Sequence, residues 1–143
     1  MDPLIVPAGA GPEFDWEADR VFVKTPAEFT DGRVTVVEDS LKPGFHLARH
    51  HHRQMAELFY VLDGEVTFTF DESATVATAG DTVNVPPGVR HQVASEHGAR
   101  LLTIFTPGGF DGYLSACASL SPEQAADAAV QVDLAERFDI WTD

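Results

Sequence analysis

The sequence predicts an all-β domain, an antiparallel sandwich or barrel that carries a short helical tail. Three observations carry that expectation. From Arg33 to Thr106 the chain is a succession of short segments with alternating polarity, punctuated by Gly, Pro and Asp. After Thr106-Pro107-Gly108-Gly109 the apolar spacing changes from that of a strand to that of a helix. The 143 residues, 44% of them hydrophobic, are enough for one core without staples. A single domain over 1–143 therefore divides into an N-terminal arm (1–20), a barrel core (33–106) and a helical tail (107–143).

Residues 1–17, rich in Pro, Gly and acid, read as an arm, and Trp16 with Val21–Val23 as a strand laid on a neighbour. The turn-forming run Thr25–Asp31 closes at Gly32, and strands follow over Arg33–Glu38 and, after Lys42-Pro43-Gly44, over Phe45–His52. Glu57–Leu62 is the next strand, and Asp63-Gly64 reads as a hairpin turn into Glu65–Phe70, which alternates cleanly with Val66, Phe68 and Phe70 on one face. Thr75–Thr78, Thr82–Val85, His91–Ser95 and Arg100–Thr106 complete the series, with Asp63 and Asp81 as turn residues. In the tail, Phe110, Tyr113, Leu114 and Cys117 fall at helical spacing, which makes Cys117 a small buried hydrophobe. Ser121-Pro122-Glu123-Gln124 has the form of a helix start, and the Ala-rich run through Ala129 continues it.

The stretch Gly44–Gly64 holds the chemistry. On a strand, residues two apart share a face, so His50 and His52 converge. Glu57 breaks that parity and belongs on the following strand, beyond a bend at Arg53–Ala56. Two imidazoles and a carboxylate aimed at one point make a metal site. A second stretch, Gly80–Ser95, sets His91 just behind a Pro86–Gly88 turn. These two stretches resemble the two motifs of the cupin superfamily. The first, G-x5-H-x-H-x4-E-x6-G, is matched at Gly44, His50, His52, Glu57 and Gly64. The second, G-x5-P-x-G-x2-H-x3-N, is matched at Gly80, Pro86, Gly88 and His91, with Ser95 in place of Asn. The resemblance covers roughly Val34 to Tyr113. It implies a cupin double-stranded β-helix, or jelly-roll barrel, and His50, His52, Glu57 and His91 as ligands of one divalent transition metal per chain. It also implies a homodimer, because N-terminal strands of such proteins often enter a dimer interface.

Three imidazoles and a carboxylate suit Fe, Mn, Ni, Co or Zn, and leave coordination positions open for chemistry. His51 lies between two ligands and should face the other way. His46 shares the parity of His50 and is a candidate proton-transfer group, as Glu57 is a candidate base. Phe59, Phe68, Phe70 and Phe105 are candidate walls for a substrate, joined by Val61 and Leu101. Arg49 and Arg90 flank the ligands but face away, and His97 sits in an exposed turn.

A formal charge of −14, from 23 acidic and 9 basic residues, repels nucleic acid and anionic membranes. No apolar run approaches the ~20 residues of a membrane span, the N-terminus lacks the pattern of a secretory signal, and Cys117 is the only cysteine. The expectation is a cytoplasmic protein acting on a small molecule. Similarity to small cupins of the quercetinase type implies a metal-dependent dioxygenase for a hydroxylated, carbonyl-bearing aromatic or β-diketone. Similarity to cupin cyclases of aromatic polyketides implies non-oxidative cyclisation or isomerisation at a Lewis-acid metal. A non-catalytic small-molecule-binding cupin is the reading from another class.

Overall fold

A computed structural model describes all residues, 1–143, as a sheet of nine antiparallel strands rolled on itself, with three short helices at the C-terminal end. The strands are β1 (Glu13–Asp15), β2 (Asp19–Thr25), β3 (Thr35–Leu41), β4 (Phe45–His50), β5 (Ala56–Thr69), β6 (Ala74–Thr78), β7 (Thr82–Val85), β8 (His91–Ser95) and β9 (Ala99–Thr106). One face runs β1-β2-β3-β9-β5-β7 and the other β4-β8-β5-β6, so β5 belongs to both. This is the expected jelly-roll arrangement.

The roll turns on Asp63-Gly64. The dipeptide does not close a hairpin: β5 runs through it for 14 residues. Ala56–Gly64 pairs with β9, and Glu65–Thr69 with β6 and β8. The β9 register slips between Val61 and Asp63, which is a bulge. One extra residue inverts the facing of all that follows. Glu57, Phe59 and Val61 therefore point inward before it, and Val66 and Phe68 after it. Local turn chemistry predicts a hairpin here, but the two halves pair with different strands, β7 and β9 before the bulge and β6 and β8 after it. Gly64 has φ 82°, and a Cβ there would lie 2.5 Å from the Gly98 carbonyl oxygen.

The sheet also begins earlier than Arg33. In β2, Val21, Phe22 and Val23 are all buried, and the strand pairs with β1 and β3 of the same chain. The arm folds back on it: Lys24 Nζ donates to the carbonyls of Pro7 and Ala10 at 2.7 and 3.1 Å. Burial of this apolar triplet stabilises that pairing.

Two apolar clusters fill the interior. The larger includes Phe45, Phe59, Val61, Val66, Phe68, Val93 and Leu101. The smaller joins Val21, Val23, Val37, Met55 and Phe105 to Leu114 of α1 (Phe110–Ala118), where Phe110 stacks on Phe105 at 4.2 Å. Cys117 is only partly buried there, beside Tyr113. Helix α2 (Pro122–Ala125) opens with the expected capping box: Gln124 N–H donates to Ser121 Oγ and Ser121 N–H to Gln124 Oε1. It stops at Ala125 because Asp127 caps a separate helix, α3 (Ala128–Arg137), accepting from Ala129 N at 2.9 Å.

Replacing Gly64 with Ala is expected to destabilise the protein by at least about 1 kcal/mol, because it strains the backbone and closes on Gly98. Denaturant titration reads this as a lower midpoint with an unchanged slope. An unshifted midpoint would mean that the bulge does not depend on glycine.

Candidate metal centre

Strand β4 does not run in simple alternation. Leu47 pairs with Val93 and His50 with His91, so three residues on β4 span two on β8. This second bulge re-aims the strand: Phe45 and His50 are buried, and the residues between them are exposed. His52 follows just past the strand end, where its carbonyl accepts the Gly88 N–H at 2.6 Å and ties the ligand loop to the Pro86–Gly88 turn. Glu57 enters from the second position of β5, paired with Phe105 and Val85. His91 opens β8.

The ligand atoms of His50, His52, Glu57 and His91 all lie within 4.8 Å of one another, and all four residues are buried. Glu57 Oε1 is 3.0 Å from both His52 Nε2 and His91 Nε2. The three imidazoles share one device, an Nδ1 that donates to a backbone carbonyl. His50 uses Ala48 and His91 uses Val89, each at 2.9 Å and each two residues back. His52 uses Asp139, also at 2.9 Å, from the far end of the chain. A ring held at Nδ1 presents Nε2 to the common point, as metal-binding histidines require.

Protonation fits the same role. Burial, with the neighbouring His91, drives His50 down to about 4, so its ring is neutral at pH 7. Burial opposes ionisation of Glu57, but hydrogen bonds and charge from His52 and His91 outweigh it and hold the carboxyl at about 2. Burial likewise opposes a charged His52, and the Glu57 contact outweighs it, so His52 is raised. A neutral imidazole and a permanent carboxylate at metal–ligand spacing suit a divalent transition metal.

Other expected residues are placed differently. His46 is exposed, against Gln92 at 2.9 Å on the outer surface, so it is not in the site. The β4 bulge is the reason, since it breaks the parity with His50. His51 turns away and forms a bridge with Trp141. Arg49 is exposed and paired with Asp71, and Arg90 and His97 are exposed. Of the phenylalanines, Phe59 lies 6.5 Å from the His91 ring and Phe105 6.2 Å from the His52 ring. Phe68 packs 4.9 Å from Phe59 with no exposed surface, so it backs the wall, and Phe70 is a partly buried neighbour of the larger cluster.

Two features escaped the sequence reading. One is the carbonyl and carboxylate of Asp139. The other is Asp39, whose facing matches buried Thr35, Val37 and Leu41. Burial, then the charge and hydrogen bond of Asp19, then Glu57, push the Asp39 carboxyl well up. Asp39 Oδ1 is buried without a hydrogen-bond partner. An acid at an inward position of an apolar strand was the available signal.

The sequence profile of the family described as "Cupin domain" matches residues 32–105, more than half of the chain. Quercetin 2,3-dioxygenase of Bacillus subtilis (strain 168) is 28% identical over 85 residues, which span 59% of this chain and 25% of that protein. The chain thus aligns with about a quarter of that curated relative. An RmlC-like cupin from Shewanella frigidimarina has the same fold with a TM-score of 0.68 at 23% identity, covering 78% of this chain and 96% of that one. Ectoine synthase from P. lautus gives a TM-score of 0.61 at 14% identity, covering 73% and 78%.

Two outcomes are expected from this geometry. His46→Ala keeps the full metal content of the parent and His50→Ala loses it, read by elemental analysis after dialysis. In chelator-treated protein, the depressed His50 means that the unfolded chain binds more protons between pH ~6.5 and ~4. The stability present above that window is therefore lost as pH falls through it. Thermal unfolding of chelated protein should shift downward across the window, and less so in His50→Gln.

Proposed function

Since the chain belongs to the cupin domain family, we propose that it is a metal-dependent enzyme, a quercetinase-like dioxygenase for a small enolisable substrate. That substrate is a β-diketone or a hydroxylated, carbonyl-bearing aromatic. One observation carries the reading: four buried donors, three imidazole nitrogens and one carboxylate, meet within 4.8 Å. When bound, a divalent metal supplies Lewis acidity and, if redox-active, a path to dioxygen. The remaining work falls to the chain.

His50, neutral at pH 7, and His52 and His91, locked by their carbonyls, hold the site rigid, so little reorganisation accompanies charge development at a substrate oxygen. Glu57 is ionised and sits among these rings, placed to take the proton from an enolisable carbon as the substrate's oxygens settle at the centre. Phe59 and Phe105 face the rings and exclude water from the reacting atoms. The four donors have little exposed surface and His91 none, so reacting atoms held there are shielded from bulk water. In the dioxygenase reaction a C–C bond of the enolate breaks and both atoms of O2 enter the products. The aligned B. subtilis dioxygenase supports this choice among cupin reactions.

Asp39 favours a second reading. A carboxyl whose proton affinity is raised by burial and by the neighbouring Asp19, on the inward face of β3, suits a proton-transfer reaction without oxygen, a cyclisation of polyketide type or an isomerisation.

The test is oxygen uptake by protein loaded with Fe, Mn, Ni, Co or Zn, against a panel of flavonols and β-diketones. Uptake matched by cleaved product, and abolished in Glu57→Gln, is the expected result. Product without oxygen uptake would replace the first reading by the second. A ligand that binds and returns unchanged would leave only a binding module.

A further inference from the structure

Of the three carbonyls that orient the imidazoles, two come from residues just two positions before the histidine they hold and one from a residue 87 positions away. That third carbonyl belongs to Asp139, and the same residue makes a second set of contacts with its side chain. Asp139 Oδ1 accepts the Arg53 N–H at 2.8 Å, and Oδ2 accepts those of Gln54 and Met55, each at 2.8 Å. These are three consecutive donors in the linker between His52 and Glu57, which has no strand partner to satisfy them. Asp139 thus holds one ligand by its backbone and the spacing of two ligands by its side chain.

The residues that follow fasten the same linker. Trp141 exchanges two backbone hydrogen bonds of 2.9 Å with His51, and its indole N–H donates to Asp139 Oδ1 at 3.0 Å. The Arg53 guanidinium lies 3.5 Å over the indole ring and reaches Asp143 Oδ2 at 3.2 Å. Asp139 itself has φ 64°, a left-handed backbone that aspartate, asparagine and glycine tolerate. That turn is what lets its carbonyl and its carboxylate both face the ligand loop.

We propose that the C-terminal segment Asp139–Asp143 is a latch that completes the metal centre, with Asp139 as the positioning residue for His52 and for the His52–Glu57 linker. The proposal deepens the metal-enzyme reading and rests on it. Its consequence is that the most distant part of the sequence controls metal retention. Anything that loosens residues 139–143, such as proteolysis, releases His52 first and leaves His50 and His91 aimed by carbonyls two residues before them. A tail that merely packs would stabilise the fold without bearing on one ligand in preference to the others.

The experiment uses the full-length chain with Asp139→Gly, which keeps the left-handed backbone while deleting the carboxylate, and Asp139→Asn as the conservative variant. Zn(II) affinity is read by competition with a chromophoric chelator. Asp139→Gly should bind Zn(II) about 10–100-fold more weakly, the range for loss of an outer-shell partner, and Asn should recover part of the loss. In metal-free protein, long-range 1H–15N spectra of the imidazoles should show the Nδ1–H signature of His52 weakened in Asp139→Gly, with those of His50 and His91 unchanged. Equal Zn(II) affinity in parent and Asp139→Gly, or ring signals that change equally at all three histidines, would overturn the latch alone. A parent protein that binds neither Zn(II) nor any of the other four metals would overturn the metal-centre reading, and the latch with it.

Discussion

A carboxylate buried among imidazoles governs this structure. Glu57 is almost fully removed from water, and an ionised carboxyl there is sustained only by direct partners, here His52 and His91. Each partner in turn needs its other ring nitrogen satisfied, and each finds a backbone carbonyl. The centre is therefore a closed set of obligations. It ties the start of β5, the start of β8, the end of β4 and the C-terminal tail to one point, and shifting any of them exposes an unpaired buried group.

The two bulges are what make that convergence possible within a rolled sheet. The one in β5 lets a single strand serve both faces with its apolar side chains always inward. The one in β4 turns His50 in while His46 stays out. The buried polar groups are few: the four candidate ligands with Thr35, Ser95 and Thr103.

Charge on the surface and charge in the site serve different ends. The acidic excess of the chain is spread over exposed residues, where pairs such as Arg137 with Asp133 contribute little. No helix is long and apolar enough to cross a membrane. Inside, two carboxyls of one barrel, Glu57 and Asp39, are shifted in opposite directions, the first down and the second up. Environment alone separates them: Glu57 is surrounded by hydrogen-bond donors, and Asp39 by apolar residues and another acid.

Residue order alone made legible most strands from β3 onward, the capping box at Ser121 and the four side chains that converge. These depend on period, local turn and cap chemistry, and motif spacing, all of which act over a few residues. Tertiary structure alone decided whether Asp63-Gly64 closes a hairpin or bends a strand, because that turns on which distant strands offer longer pairing. It decided that Val21–Val23 pair with β1 and β3 and that His46 faces solvent, since one bulged residue reverses a parity that spacing alone assigns. It also decided that His52 is oriented from Asp139. A backbone carbonyl is present at every residue, so nothing in residue type distinguishes the one that the fold brings to an imidazole.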